Sequence, residues 1–411
     1  VDVAREISLV LIIKRNQIMT FLLSSQNVFE YLSTQGLLTS LDREKIKIEP
    51  KPAKNFNLLL SLSEDCKLLI KQERHNLGGK TAGEFDNEWR VYEFLQQFPE
   101  LYILRPLISE VLHFHTEDSI IIFKYLTDYS DLSVFYAKEN IFPPGIAAAI
   151  ARVLATIHRS TFNNSTYRDF LTQKQEESSE KRKIILTAGL DRITPEIFGI
   201  IPMDGLKFYA LYQRYDSLGK AIADITSTYT PSCLTHNDLK LNNILLHNDW
   251  EQNSNHQTSL IRLIDWERGS WGDPAFDLGA MVASYLQLWL SSLVVSQSIA
   301  IEEALQLAMI PLDKLQPSLA ALVSAYFAEF PNILEHRPDF LNRVVQAAGL
   351  SLINQILAMI QYQKTFNNTG ICMLQVAKSL LCRPEQSIPT IFGTFERELI
   401  NCSAGILPAQ I

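Results

Sequence analysis

The sequence predicts an α+β chain, with a small mixed part at the N-terminal end and a larger, mainly helical part after it. Three observations carry that reading. Short apolar runs dominate up to residue 126, long helical periodicities dominate beyond it, and the composition can fill large cores: 411 residues, 47% hydrophobic and 20% charged.

In the first part, apolar runs at residues 45–48, 57–62, 67–71, 110–114 and 119–125 predict strands. Between the third and fourth runs, Phe85, Trp89, Tyr92 and Leu95 recur at helical spacing and predict a helix from Glu84 to Gln97. The expected arrangement is a small sheet with one helix packed on it. Helical patterns then cover residues 144–158, 207–228, 276–295, 299–309, 315–330 and 341–362. Residues 278–295 are long enough to raise the question of a membrane span. Ser284, Gln287, Ser291 and Ser292 interrupt the run, so it reads as a buried helix. Within the helical half, strand candidates at 244–246 and 260–264 flank a polar stretch and predict a hairpin that presents residues at its ends. The division expected from these patterns is an extension over 1–27, a mixed domain over 28–126, a helical domain over 127–382 and a Pro-punctuated tail over 383–411.

Charge and cysteines narrow the function classes. A net charge of -8 argues against a nucleic-acid partner, because a phosphate backbone is met by a basic surface. The five cysteines are odd in number and scattered, with no CxxC pair and no zinc-site spacing, which fits a reducing, cytoplasmic setting. The apolar stretch at 7–13 precedes Lys14 and Arg15, the reverse of the order in a secretion signal. No membrane partner is expected. Gly78-Gly79-Lys80-Thr81 has the look of a phosphate-binding P-loop, but Arg74 stands where that motif needs its first glycine, so the segment is read as a turn before the helix.

The chemistry concentrates in two segments. Asp238 and Asn243 lie five positions apart, and Asp265 follows the second strand of the hairpin, so three oxygen-bearing side chains can meet at one edge. A magnesium–nucleotide complex asks for that donor set: one carboxylate and one amide oxygen beside phosphate oxygens and water. A further carboxylate outside the metal shell can orient an acceptor hydroxyl. By these criteria Asp265 and Asn243 are the metal ligands and Asp238 is the catalytic carboxylate.

These residues resemble the aminoglycoside phosphotransferase and choline kinase-like family. His236-x-Asp238-x-x-x-x-Asn243 is similar to its catalytic loop, Ile264-Asp265-Trp266-Glu267 to its magnesium-binding segment, and Gly272-Asp273-Pro274-x-x-Asp277-Leu278 to the segment that follows. The resemblance implies a two-lobe protein-kinase-like fold, α+β, with ATP or GTP and Mg2+ as cofactors and a small-molecule alcohol as acceptor. It implies that Lys71 binds the α- and β-phosphates, that Glu88 on the helix pairs with it (Glu84 being the alternative), and that the backbone of the hinge segment with Phe123 and Tyr125 binds adenine. His236 and Asp277 are expected to brace the loop, and Lys240 corresponds to a lysine near the γ-phosphate. The turn at residues 52–57 falls where phosphates are covered but has no glycine, so Lys54 and Asn55 are the candidate donors there.

Two other readings compete. One is an inactive nucleotide-binding module that acts through a protein partner, which the glycine-free turn keeps open. The other is a protein kinase; against it, Asp-Phe-Gly and Ala-Pro-Glu are absent and only seven residues separate Asp265 from Asp273.

Overall fold

The computed structural model describes residues 21–39, 46–76, 78–173, 190, 199, 201–252, 260–294, 303 and 307–393. The apolar stretch at 7–13, most of the helix expected at 299–309, and Cys402 lie outside the described residues. The chain divides into two compact units: Val1–Tyr92 with Ser109–Thr127, and Glu93–Ile108 with Asp128–Ile411.

The first unit is built on helix α1 (Val28–Thr34), strands β1 (Lys47–Lys51), β2 (Phe56–Ser61) and β3 (Lys67–Gln72), helix α2 (Glu84–Gln97) as far as Tyr92, and strands β4 (Val111–His115) and β5 (Ile120–Lys124). The strands form one antiparallel sheet in the order β1-β2-β3-β5-β4. Alternation along the strands sorts their side chains onto two faces. Leu58, Leu60, Leu68, Ile70, Ile120 and Ile122 pack with Leu23, Val28 and Leu32 on one face. Leu69, Ile121 and Phe123 pack with Phe85, Trp89 and Tyr92 of α2 on the other. Lys71, in phase with Leu69, therefore belongs to the α2 face. The second covering layer was not expected. Residues 21–23, assigned to an extension, are tied to the sheet by Gln72, whose amide donates to the Phe21 carbonyl (2.7 Å) and whose oxygen accepts from Leu23 N–H (2.7 Å). The Gly78–Thr81 segment is a turn, as read: Asn76 Oδ1 accepts from Gly78 and Lys80 N–H at 2.9 and 3.0 Å.

The second unit contains a 3-10 segment (Pro99–Leu107), β6 (Tyr129–Asp131), α3 (Leu132–Glu139), α4 (Pro144–Thr161), α5 (Ser165–Thr172), α6 (Met203–Tyr212), α7 (Asp216–Ser227), β7 (Cys233–Thr235), β8 (Ile244–His247), β9 (Ile261–Leu263), β10 (Ser270–Gly272), α8 (Pro274–Ser291), α9 (Leu312–Glu329), α10 (Asn332–His336), α11 (Phe340–Ala358), α12 (Asn368–Cys382) and α13 (Pro384–Phe392). The core packs α4 against α9, α8 against α11 and α11 against α12. Helix α8 is the apolar run whose membrane reading was set aside. Leu278, Met281, Val282, Tyr285, Leu286 and Leu290 are all buried inside the unit. The single helix expected at 207–228 is two helices with a break at 213–215. The spacing Phe208, Tyr212, Tyr215, Leu218, Ile222, Ile225 runs at threes and fours straight through the break, so periodicity could not reveal it. The tail expected from 383 also needs correction: α13 buries Ile388, Ile391 and Phe392.

Helices α8 and α11 meet at Gly279. A Cβ there would stand 2.6 Å from Ala347 Cβ, 2.8 Å from the Val344 carbonyl oxygen and 2.9 Å from Ala348 N, two of which are backbone atoms that cannot yield cheaply. Gly279→Ala is expected to destabilise the protein by about 1–3 kcal/mol despite the better helix former. Gly219→Ala in α7, which meets nothing within 4 Å, is expected to be neutral or stabilising by up to about 1 kcal/mol. Urea unfolding of the two variants checks both, and equal midpoints would contradict the close packing.

Candidate active site

The loop that carries Asp238 leaves β7 and is fixed by a carboxylate from another element. Asp277, in the first turn of α8 and 1% exposed, accepts from His236 N–H through Oδ2 (2.6 Å) and from Asn237 N–H through Oδ1 (2.8 Å). Its Oδ2 also lies 3.3 Å from His158 Nε2, and His158 Nδ1 lies 2.8 Å from the Tyr326 hydroxyl. Helix α8 is itself anchored from its N-cap. Asp273, fully buried, accepts from Ala275 N–H, from Thr230 N–H, and from Arg337 Nη1 at 2.9 Å on each oxygen.

His236 takes up the next connection. The Asp238 backbone N–H donates to its Nδ1 (3.3 Å), so the ring proton is on Nε2, which donates to the Ile264 carbonyl (2.8 Å). Asn237 adopts a left-handed conformation (φ 63), and its amide reaches the carbonyls of Thr235 and Arg268 and the Ser270 hydroxyl at 3.0–3.2 Å. Asn is among the few residue types that tolerate this conformation. Its presence beside His236 was an available signal that the reading of the sequence did not use.

The rest of the loop gathers around Asp238. Lys240 Nζ lies 2.9 Å from Asp238 Oδ2. A 3-10 turn (Leu241–Asn243) then brings Asn243 back, and its amide nitrogen donates to the Asp238 carbonyl (2.8 Å). That bond orients the planar amide and turns Oδ1 away from the Asp238 carbonyl. The predicted hairpin is β8 and β9, in which Ile244 pairs with Leu263, and Ile264 N–H donates to the Asn243 carbonyl (3.0 Å). Asp265 therefore follows the residue opposite Asn243, in a left-handed conformation (φ 68). An amide oxygen and a carboxylate at adjacent hairpin positions are the oxygen donors a hard divalent cation takes, so the residues present fit magnesium.

The remaining candidates belong to the first unit. Lys71 lies on β3 with its ammonium 5.1 Å from the centre of the Phe123 ring. Glu88 is buried on α2 (3% exposed), whereas Glu84 forms an ion pair with Lys54, so Glu84 is engaged by the β1–β2 turn. The exposed Lys54 and the half-buried Asn55 both lie in that turn. Phe123 has its ring in the core beside α2, and its backbone lies in the ladder between Leu69 and Val111. The Tyr125 N–H already donates to the Lys67 carbonyl (2.9 Å). Within the hinge segment expected at Phe123 and Tyr125, the Tyr125 N–H is thus taken by the sheet, and an amide hydrogen paired in a ladder does not serve an adenine as well.

Burial disfavours ionisation of Asp277, but the hydrogen bond and electrostatic attraction of His158 and the His236 N–H outweigh it and hold the carboxyl below its usual 3.8. With the folded value below the unfolded one, the stabilisation is complete above about pH 4 and fades as pH falls through the folded value. Asp277→Asn is expected to cost about 1–3 kcal/mol near neutral pH, with the difference shrinking below about pH 4. Denaturant unfolding across pH 2.5–7 checks this; a difference independent of pH would contradict it.

No curated protein matches the chain. Among solved structures it is similar to an ethanolamine kinase of Plasmodium vivax, at 14% identity with 90% of this chain and 92% of that one covered and a TM-score of 0.54. It is also similar to a choline/ethanolamine kinase family protein of Mesorhizobium loti (16%, 92% and 99%, TM-score 0.49) and to the ADP-bound aminoglycoside phosphotransferase APH(2'')-Ib (15%, 87% and 99%, TM-score 0.45). The fold is protein-kinase-like, α+β, with an antiparallel five-stranded sheet in its N-terminal part and a mainly helical C-terminal part. Residues 67–299, more than half of the sequence and inclusive of the segments that carry Lys71, Asp238, Asp265 and Asp277, match the phosphotransferase enzyme family (APH), and the chain belongs to that family.

Proposed function

We propose that this protein transfers the γ-phosphoryl group of ATP or GTP to a hydroxyl of a small-molecule acceptor. The observation that carries the reading is the loop in which Asp277 fixes the backbone at His236 and Asn237 while Lys240 and Asn243 gather on Asp238. Membership of a phosphotransferase family supports it.

In this reading Asp238 accepts a hydrogen bond from the acceptor hydroxyl, aligns it with the γ-phosphorus and takes its proton late in transfer. Lys240, already beside Asp238 Oδ2, meets the negative charge on the transferred group. Asn243 and Asp265 would hold magnesium, which when bound neutralises charge on the nucleotide phosphates. Lys71 holds the α- and β-phosphates with Glu88 as its counter-charge, and Lys54 and Asn55 supply donors at the β1–β2 turn. The adenine is met by backbone beyond Tyr125, since that N–H is engaged within the sheet.

The test is magnesium-dependent consumption of ATP or GTP against a panel of amino alcohols, aminoglycosides, sugars and nucleosides. Stimulation by one acceptor is expected, with Asp238→Asn lowering kcat by about 10²–10⁴-fold while nucleotide binding is retained. Equal turnover in the variant would contradict the assignment. Nucleotide binding with no turnover for any acceptor would favour a binding module.

A further inference from the structure

Helix α2 begins with no side-chain acceptor at its N-cap position. Its N-cap position is Gly83, in a left-handed conformation (φ +79), whose carbonyl accepts from Asn87 N–H (3.3 Å). Glycine has no side-chain oxygen for the unpaired N–H groups of the first turn, and a helix start buried without partners is costly. The partner comes from β3. Glu73, the residue after the strand and 2% exposed, accepts from Glu84 N–H through Oε1 (3.1 Å) and from Phe85 N–H through Oε2 (3.4 Å). Its Oε2 also accepts from the Ser119 hydroxyl (2.9 Å), and its own N–H donates to the Ser119 carbonyl (3.0 Å). One buried negative charge thus meets the positive end of α2 and pins it to β3 and to the residue that precedes β5.

The position of this cap matters because of what flanks it. Two residues before Glu73 on the same strand is Lys71, on the α2 face. The first residue of the capped helix, Glu84, holds Lys54 of the β1–β2 turn, and one turn further on is the buried Glu88. Three of the residues assigned to the phosphates therefore take their places from the start of α2 or from the strand that pins it.

We propose that Glu73 is a positioning residue for the phosphate-binding face: it sets the rotation and height of α2 against β3, and so the placement of Glu88 and of the Glu84–Lys54 pair relative to Lys71. This rests on the function proposed above. Glu73 touches no substrate; it acts through the helix.

Calorimetric titration of the full chain with Mg-ADP tests it. Glu73→Ala is expected to raise Kd by about tenfold, and Glu73→Gln, which keeps one acceptor oxygen but loses the charge, by about threefold. In a Glu88→Gln background the same Glu73 changes are expected to raise Kd by clearly less than in the wild type, since one of the two groups through which Glu73 acts, the other being the Glu84–Lys54 pair, is already impaired. Amide exchange at Glu84 and Phe85, read without nucleotide, is expected to speed up in Glu73→Ala. Should Glu73→Ala not fold, Glu73→Gln decides. A lowered melting temperature with Kd within about twofold of wild type would make Glu73 a purely structural cap and overturn the proposal. Full additivity with Glu88→Gln would overturn it as well. Absence of Mg-ADP binding in the wild type would remove the proposed function and this inference together, whereas binding that the Glu73 changes do not move removes this inference alone.

Discussion

The carboxylate of Asp277 accepts hydrogen bonds from two consecutive backbone N–H groups, those of His236 and Asn237, and the shape of the Asp238 loop follows from that constraint. Fixing two successive peptides leaves Asn237 little choice but its left-handed conformation, which aims the Asp238 N–H at His236 Nδ1 and leaves the Asp238 side chain beside Lys240. A carboxylate at 1% exposure is expensive unless its oxygens are met by donors. Asp277 meets them on both oxygens, with His158 completing the set and the Tyr326 hydroxyl of α9 meeting the other ring nitrogen of His158. Loop geometry is thereby connected to three helices of the core, α4, α8 and α9.

A second constraint lies in the β8–β9 hairpin. Residues 243 and 265 are far apart in sequence, yet the pairing of Ile244 with Leu263 makes them near neighbours, and Ile264 is held on both sides, by Asn243 through its N–H and by His236 through its carbonyl. The two segments that carry oxygen donors are therefore one hydrogen-bonded body, and His236 belongs to both. That arrangement suits phosphoryl transfer, in which the protein contributes mainly position and charge.

Much of this was legible in the sequence, for physical reasons that differ by element. The sheet of the first unit could be read because strands covered on both faces give short apolar runs, and helix α2 because one-sided burial gives a period of 3.6. The loop could be read because His, Asp and Asn at fixed spacing, followed by a strand and a second Asp, have few alternative explanations. Contacts made by single residues could not. Nothing about a lone glutamate at a strand end marks Glu73 as the cap of a helix eleven residues on. Nothing in 208–225 marks the break between α6 and α7, because the apolar stripe runs through it. The covering of the second sheet face by residues 21–34 was hidden by the shortness of α1, and the engagement of the Tyr125 N–H depends on strand register, which spacing alone does not specify.

In the proposed function, Asp265 and Asn243 form an oxygen-donor site for magnesium in service of a nucleotide. The most direct measurement is calorimetric titration of the full chain with ADP, with and without Mg2+, in wild type and Asp265→Ala. Binding is expected to depend on magnesium in the wild type and to weaken by more than about tenfold in Asp265→Ala. Magnesium-dependent binding of equal strength in the two proteins would contradict it.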